Sequence, residues 1–250
     1  MHWHWKNCPA AWHGMYKGKE GAPSIILEGV ADYRLYIWHA FFGMPGTCND
    51  INVVDNSPLS RITAAGEFPP TMHHVINESV YSKGYLLTDG IYPEYAYFVK
   101  TINQPVTPKQ KKFAKYQEAA CKDVERAFGV LQAMFQIVSM PSRFWYSTSM
   151  QLIMKTCIIL HNMCVEDNEK NGVYDNIFSY ARQDGTNLNT VLENGETEEV
   201  FEYNSTWNPL DLNEALYFTR IGKNVEAMID KEKHRKLKND LIEHIWKVMK

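Results

Sequence analysis

Apolar and polar positions change rhythm along the chain, and the changes outline its elements. Ser24 to Ala31 (SIILEGVA) is a mostly apolar run, Asp32-Tyr33-Arg34 reads as a short turn, and Leu35 to Phe42 (LYIWHAFF) is aromatic-rich and of strand length. Two such runs so close together predict an antiparallel hairpin. Gly43, Pro45 and Gly46 then break the pattern. Asn49 or Asp50 can cap a short helix containing Ile51, Val53 and Val54, which Pro58 would disturb. Met72 to Tyr81 reads as strand and turn, and Gly84 to Thr88 (GYLLT) as a short buried strand that stops at Asp89-Gly90.

The second half is helical in rhythm. A short helix is expected over Glu94 to Ile102, then a loop carrying Pro105 and Pro108. The clearest periodicity spans Lys109 to Val138, where Phe113, Ala120, Val124, Phe128, Leu131, Phe135 and Val138 recur at helical intervals. Another helix is expected over Thr148 to Val165, and a last one over Asn224 to Lys250 with Leu237, Leu241, Ile245 and Trp246 on one side. Residues 166–215 show no sustained period. Hairpin, helix, strand and long helix in this order predict an α/β chain, a mixed sheet covered by helices. The expected organisation is a core over 1–165, a loose acidic connector over 166–215 and a C-terminal amphipathic helix over 216–250.

Composition adds little until it is divided. Over 250 residues, 26 Lys+Arg against 29 Asp+Glu leave a net charge of -3, with 45% hydrophobic residues. That is a globular composition; no apolar run approaches the ~18 residues of a membrane helix, and the first residues lack a secretory pattern. Five cysteines without a CxxC pair predict reduced thiols and an intracellular setting. Residues 166–215, however, carry 12 acidic and 2 basic side chains, whereas 1–165 carry 15 basic and 12 acidic and 216–250 carry 9 basic and 5 acidic. A mildly basic body and tail joined by an acidic segment can approach a polyanion locally; the acidic segment also reads simply as a solvated tether.

Three carboxylates draw notice. Asp89 stands at the end of a short apolar strand, where α/β sheets meet their ligands, although Asp-Gly is also a common turn pair. Glu125 lies at the border of the apolar stripe of the long helix, beside Cys121 and Phe128. On the same wheel, at roughly 100° per residue, Lys111, Lys115, Lys122 and Arg126 cluster next to it. Such a row suits a phosphodiester backbone, and it equally describes an exposed basic face with ordinary intrahelical pairs. Asp50 reads as an N-cap or first-turn acid. Cys157, His161 and Cys164 share a helix face and offer soft ligands for zinc or a packed stripe with one bonded histidine. His2, His4, Cys8 and His13 alternate with Trp3, Trp5 and Trp12 in the manner of packing. No Gly-rich phosphate loop, HExxH or G-x-S-x-G is present, and no spacing supports a Ser-His-Asp triad.

Longer blocks are more specific. MHWHWKNCPAAWHG, PSIILEGVADYRLYIWHAFFGMPGTCNDINVVDNSPL, GYLLTDGIYPEYAYFVKTI, KDVERAFGVLQAMFQIV and CIILHNMCVEDNE resemble, in unbroken order over about residues 1–170, the plant PIF/Harbinger-type transposases. The final DLIEHIW is similar to that group's C-terminal helix. The resemblance implies an RNase H-like core with a DDE triad, in which three carboxylates hold two divalent cations, Mg²⁺ or Mn²⁺, for phosphodiester hydrolysis and strand transfer on DNA. It assigns Asp89 and Glu125 to the catalytic carboxylates and Asp50, in the NDINV block, to an additional acid near the metal. The basic row of Lys111, Lys115, Lys122 and Arg126 would then face DNA. A Myb-like accessory protein, homo-oligomerisation and nuclear residence are further implications; the only basic cluster of note is KEKHRKLK, Lys231 to Lys238, which reads equally as the exposed face of a helix.

The pattern also departs from the group. Its first Asp lies in the strand before the MHW block, so a chain read from Met1 lacks that ligand and is expected to be an N-terminally truncated, impaired enzyme. Met134 replaces an Arg common in the group. Two function classes therefore compete: a metal-dependent DNA endonuclease, and a catalytically inactive remnant that binds DNA or protein.

Overall fold

The computed structural model describes residues 1–19, 21–171 and 224–248. They form a mixed α/β arrangement of small sheets and several helices, divided into two compact units. Unit 1 holds residues 1–60 and the described residues from 115 to 171; unit 2 holds residues 61–114 and 224–248.

In unit 1 an antiparallel sheet runs in the order β1 (His2–His4), β2 (Ser24–Ala31), β3 (Ile37–Pro45). The expected hairpin is present as β2–β3, with Glu28 opposite Phe41 and Val30 opposite His39. Strand β3 starts at Ile37 because Leu35 turns into the left-handed region at φ 69°. Asp32 organises that turn: its Oδ1 accepts the amides of Arg34 (2.9 Å) and Tyr36 (3.1 Å), and its Oδ2 meets the Arg34 guanidinium. The N-terminal histidine and tryptophan alternation is an edge strand. Trp3 and Trp5 turn inward and are fully buried, and their indoles donate to the carbonyls of Met140 (2.8 Å) and Phe144 (2.7 Å). Beyond β1 come a single 3₁₀ turn, Ala10–Trp12, and the short helix α1 (His13–Tyr16). Glycine is required at 46, where a Cβ would run into Ser24 Oγ and the Tyr16 carbonyl.

Helix α2 (Asp50–Asn56) is capped by Asn49, whose side chain accepts the Asn52 amide at 2.8 Å. Pro58 starts the next helix, α3 (Pro58–Ala64), where its missing N–H costs nothing. The long helix expected over Lys109–Val138 is α4 (Pro108–Met134), a break at Phe135 and a short α5 (Gln136–Ser139). No Gly or Pro marks the break; Phe135 and the fully buried Val138 both pack on the unit-1 core, so tertiary packing sets it. Ala127, Val130 and Leu131 of α4 join Ile25, Leu27 and Ile37 of the sheet in that core, with Met150, Met154, Cys157 and Val165 of α6 (Ser147–Asn171). Gly29 admits the Phe128 ring, which a Cβ there would meet at 3.0 Å.

Unit 2 contains the hairpin β4 (Thr71–Ile76) and β5 (Ser79–Lys83), and the parallel pair β6 (Leu86–Thr88) and β7 (Phe98–Lys100). The helix expected over Glu94–Ile102 is not formed. Phe98 and Val99 are buried and pair with Leu86 and Leu87, so the aromatic and β-branched run satisfies the edge of β6 as a strand. The C-terminal helix expected from Asn224 appears as a helical turn over 224–228 and then α7 (Lys231–Val248). Its Leu237 and Leu241 pack with Ile76, Val99 and Phe113. Of the acidic segment read over 166–215, residues 166–171 continue α6; the remainder lies outside the described residues.

Candidate functional site

The three carboxylates singled out in the sequence occupy different settings. Asp50 is the first residue of α2, exposed, and its charge favours the helix N-terminus that Asn49 caps. Asp89 directly follows β6, beyond the carboxyl end of a strand in a parallel pair, and is exposed; its carbonyl accepts the Tyr92 amide at 3.3 Å, so the Asp-Gly turn and the strand-end position coexist. Glu125 lies on α4 and is exposed. Among the described residues none of these three side chains has a hydrogen-bond or ion-pair partner. Asp50 and Glu125 belong to unit 1 and Asp89 to unit 2. Within each unit, no group of three or more His, Cys, Asp or Glu among the described residues is arranged to hold a metal.

The buried acid of α4 is a neighbour that the sequence reading passed over. Asp123 is 9% exposed and its Oδ1 takes the Arg126 guanidinium at 2.5 Å, an i,i+3 pair. Arg126 is thus bound within its own helix. Lys111, Lys115 and Lys122 are exposed, and Glu118 shares their face three or four residues from two of them. The row therefore has a mixed character that the cations alone do not reveal. The spacing of Asp123 to Arg126 and of Glu118 to Lys122 was the available signal. Met134 packs against the unit-1 core.

Soft-ligand sites resolve as packing. His161 has no exposed surface, and its Nε2 lies 2.8 Å from the Leu35 carbonyl. Burial raises the Cys157 thiol above its usual pKa, which keeps it protonated, while Cys164, two turns further along the same face, is exposed. His2 Nδ1 meets Ser24 Oγ at 2.9 Å, and His13 Nε2 meets the Cys8 carbonyl at 2.9 Å. One constellation resembles a hydrolase triad in composition. His39 Nε2 lies 3.1 Å from Ser57 Oγ and 3.5 Å from Glu28 Oε2. Because both partners use the same nitrogen, the imidazole cannot relay between them, and the fully buried Ser57 Oγ already accepts the Leu59 amide at 3.2 Å. This group braces β2, β3 and α3.

Compared with known families, residues 1–172 match the family model described as plant transposon protein. The chain belongs to that family. No curated protein and no solved structure matches it. The matched span takes in all of β1 to α6, so the carboxylates Asp50, Asp89 and Glu125 and the α4 basic row all lie inside the transposon-protein region, whereas α7 lies outside it. No helix among the described residues is long and apolar enough to cross a membrane.

Proposed function

We propose that the chain is a transposase-derived, divalent-cation-dependent DNA endonuclease of the Harbinger type. Asp89 and Glu125 are its catalytic carboxylates, and Asp50 is an additional cation ligand. The observation that carries this reading is the transposon-protein match over residues 1–172. The donor chemistry supports it as well. All three side chains are carboxylates, exposed and unengaged among the described residues, which is the hard-oxygen set that Mg²⁺ or Mn²⁺ takes. An RNase H-like core belongs to the same reading, supported by the antiparallel β1–β2–β3 sheet of unit 1.

A divalent cation, when bound, supplies Lewis-acid activation of water and stabilises the leaving oxygen. The chain's own contribution is to hold carboxylate oxygens for it and to meet the DNA backbone. Asp89 does so from the end of β6, and Glu125 from an exposed position on α4 beside Lys122. Lys111, Lys115 and Lys122 offset phosphate charge along the same helix. Hydrolysis forms one oxygen–phosphorus bond from water and breaks one phosphodiester bond, leaving a phosphate and a hydroxyl terminus. By the same family reading, the chain acts in the nucleus with DNA and a Myb-like accessory protein.

The test is cleavage of a supercoiled plasmid by the purified chain with Mg²⁺, with Mn²⁺ and with a chelator. Cleavage is expected only with the cations, and Glu125→Ala should reduce it by at least about 100-fold. Cleavage that survives this substitution would place the chemistry elsewhere. Cation-independent DNA binding with no cleavage by the unmutated chain would instead favour a binding module without catalysis.

A further inference from the structure

The loop before α6 carries Ser142-Arg143-Phe144-Trp145-Tyr146, and its aromatic side chains point away from the core. Phe144 is 40%, Trp145 59% and Tyr146 68% exposed. None of the three rings contacts another aromatic ring among the described residues. Yet the loop itself is held tightly from below. The Lys6 amide donates to the Ser142 carbonyl (2.8 Å) and the Ser142 amide to the His4 carbonyl (2.8 Å). Trp5 Nε1 donates to the Phe144 carbonyl (2.7 Å), and Asn7 Nδ2 to the Arg143 carbonyl (2.6 Å). Ser142 is buried, and the Tyr146 carbonyl accepts the Met150 amide in the first turn of α6. The backbone is therefore fixed while three large rings face solvent, so their apolar area is available to a ligand at little cost in backbone order.

Charge around the loop narrows the choice of ligand. Residues 127–165, which include the loop, carry Arg143 and Lys155 and no Asp or Glu, and residues 1–19, bonded to the loop through the His4 and Lys6 backbone, carry no Asp or Glu either. Arg143 precedes the rings, and Lys6, whose amide is bonded at the base of the loop, is exposed. A hydrophobic protein partner would be served by the rings but not by the exposed Arg143 and Lys6 beside them. Unpaired nucleotides use both: bases stack on aromatic rings, and their phosphates need cations within a few ångströms. Bases inside a duplex are already stacked and cannot reach such rings.

We propose that this loop is a stacking platform for unpaired bases, with Phe144, Trp145 and Tyr146 receiving the bases and Arg143 and Lys6 the adjoining phosphates. Its ligand class is single-stranded or locally melted nucleic acid. It deepens the nuclease reading, on which the preference for DNA rests, but it uses none of the proposed catalytic carboxylates.

The experiment is fluorescence anisotropy with the full chain and labelled oligothymidylate of about 20 nucleotides, beside a duplex of equal length. The double variant Trp145→Ala/Tyr146→Ala should weaken single-strand binding by roughly tenfold or more, with less than about threefold change for the duplex. Trp145→Phe should retain most of the affinity, and Arg143→Ala should reduce the salt dependence by about one contact. The rings are exposed, so thermal unfolding should be unchanged and a lost signal is not a lost fold. Unaltered single-strand binding in the double variant overturns the proposal, as do equal losses on both ligands or a chain that uses the loop only to associate with itself. The unmutated chain separates the two readings: ring-dependent binding without any cation-dependent cleavage leaves the platform standing and removes the nuclease. Cation-dependent cleavage that ignores the rings does the reverse.

Discussion

At the scale of single residues, His161 couples a strained turn to pH. Its Nε2 faces a carbonyl oxygen, so that nitrogen carries the hydrogen, and the buried Nδ1 has no hydrogen-bond partner among the described residues. Burial drives its pKa below the ordinary 6.5, and the Leu35 carbonyl only partly opposes this. Below about pH 6.5 the unfolded chain takes up a proton that the native imidazole resists, so native stability falls as pH drops through that window. The melting temperature should therefore decrease from pH 7.5 to 5.5, and less so in His161→Gln, which keeps a donor but does not titrate; equal decreases in both proteins would exclude His161 as the source. His161→Ala, which also frees the left-handed Leu35 and opens a cavity, should cost about 2–4 kcal/mol in denaturant unfolding. The sequence spacing of Cys157, His161 and Cys164 left zinc and packing both open. What decided between them was the Leu35 carbonyl, 126 residues away, which no local pattern can display.

At the scale of elements, periodicity was readable where an element buries one face against its own unit and failed where a partner strand decided the conformation. Helix α7 shows the first case. Leu237 and Leu241 are buried four residues apart, Lys109 Nζ meets Glu243 at 2.6 Å, and Lys112 lies 5.5 Å from the centre of the Trp246 ring. Strand β7 shows the second, because only pairing with β6 distinguishes Phe98-Val99-Lys100 from a helical turn. The hairpin β4–β5 is tied to α7 by the Tyr81 hydroxyl, which donates to Asp240 Oδ2 at 2.6 Å. Burial favours the protonated Asp240, yet the hydrogen bonds from Tyr81, Ser79 and Asn77 outweigh it and hold the carboxyl below its usual pKa. Leu241→Ala should destabilise unit 2 by about 2–4 kcal/mol, and Tyr81→Phe by about 1–3 kcal/mol. Hydrogen exchange resolved by peptide is the check: protection should fall first in 71–83 and 231–248, and uniform loss across residues 1–45 would argue against this assignment.

For the whole molecule, lineage was legible because long colinear blocks survive in order, and the family match over residues 1–172 ends three residues beyond the last of them. The two compact units were not legible. Each is assembled from discontiguous stretches, so no shift of composition marks residues 60 and 115. Charge is different, since it can be read without any contact. Residues 1–19 and 126–165 have no carboxylate, while 166–215 carry a net charge of -10. On the DNA-binding reading proposed above, that acidic segment would compete with phosphate for the cations of the basic stretches, whereas a plain solvated tether would not. Replacing Glu193, Glu196, Glu198, Glu199 and Glu202 by Gln removes half of its net charge. DNA affinity should then rise by roughly two- to tenfold at about 50 mM salt, and by less than about twofold at 300 mM, where the Debye length contracts to several ångströms. Anisotropy titrations at the two salt concentrations measure this directly. A gain that persists undiminished at high salt would mean that the acidic residues act through a specific contact rather than through their field.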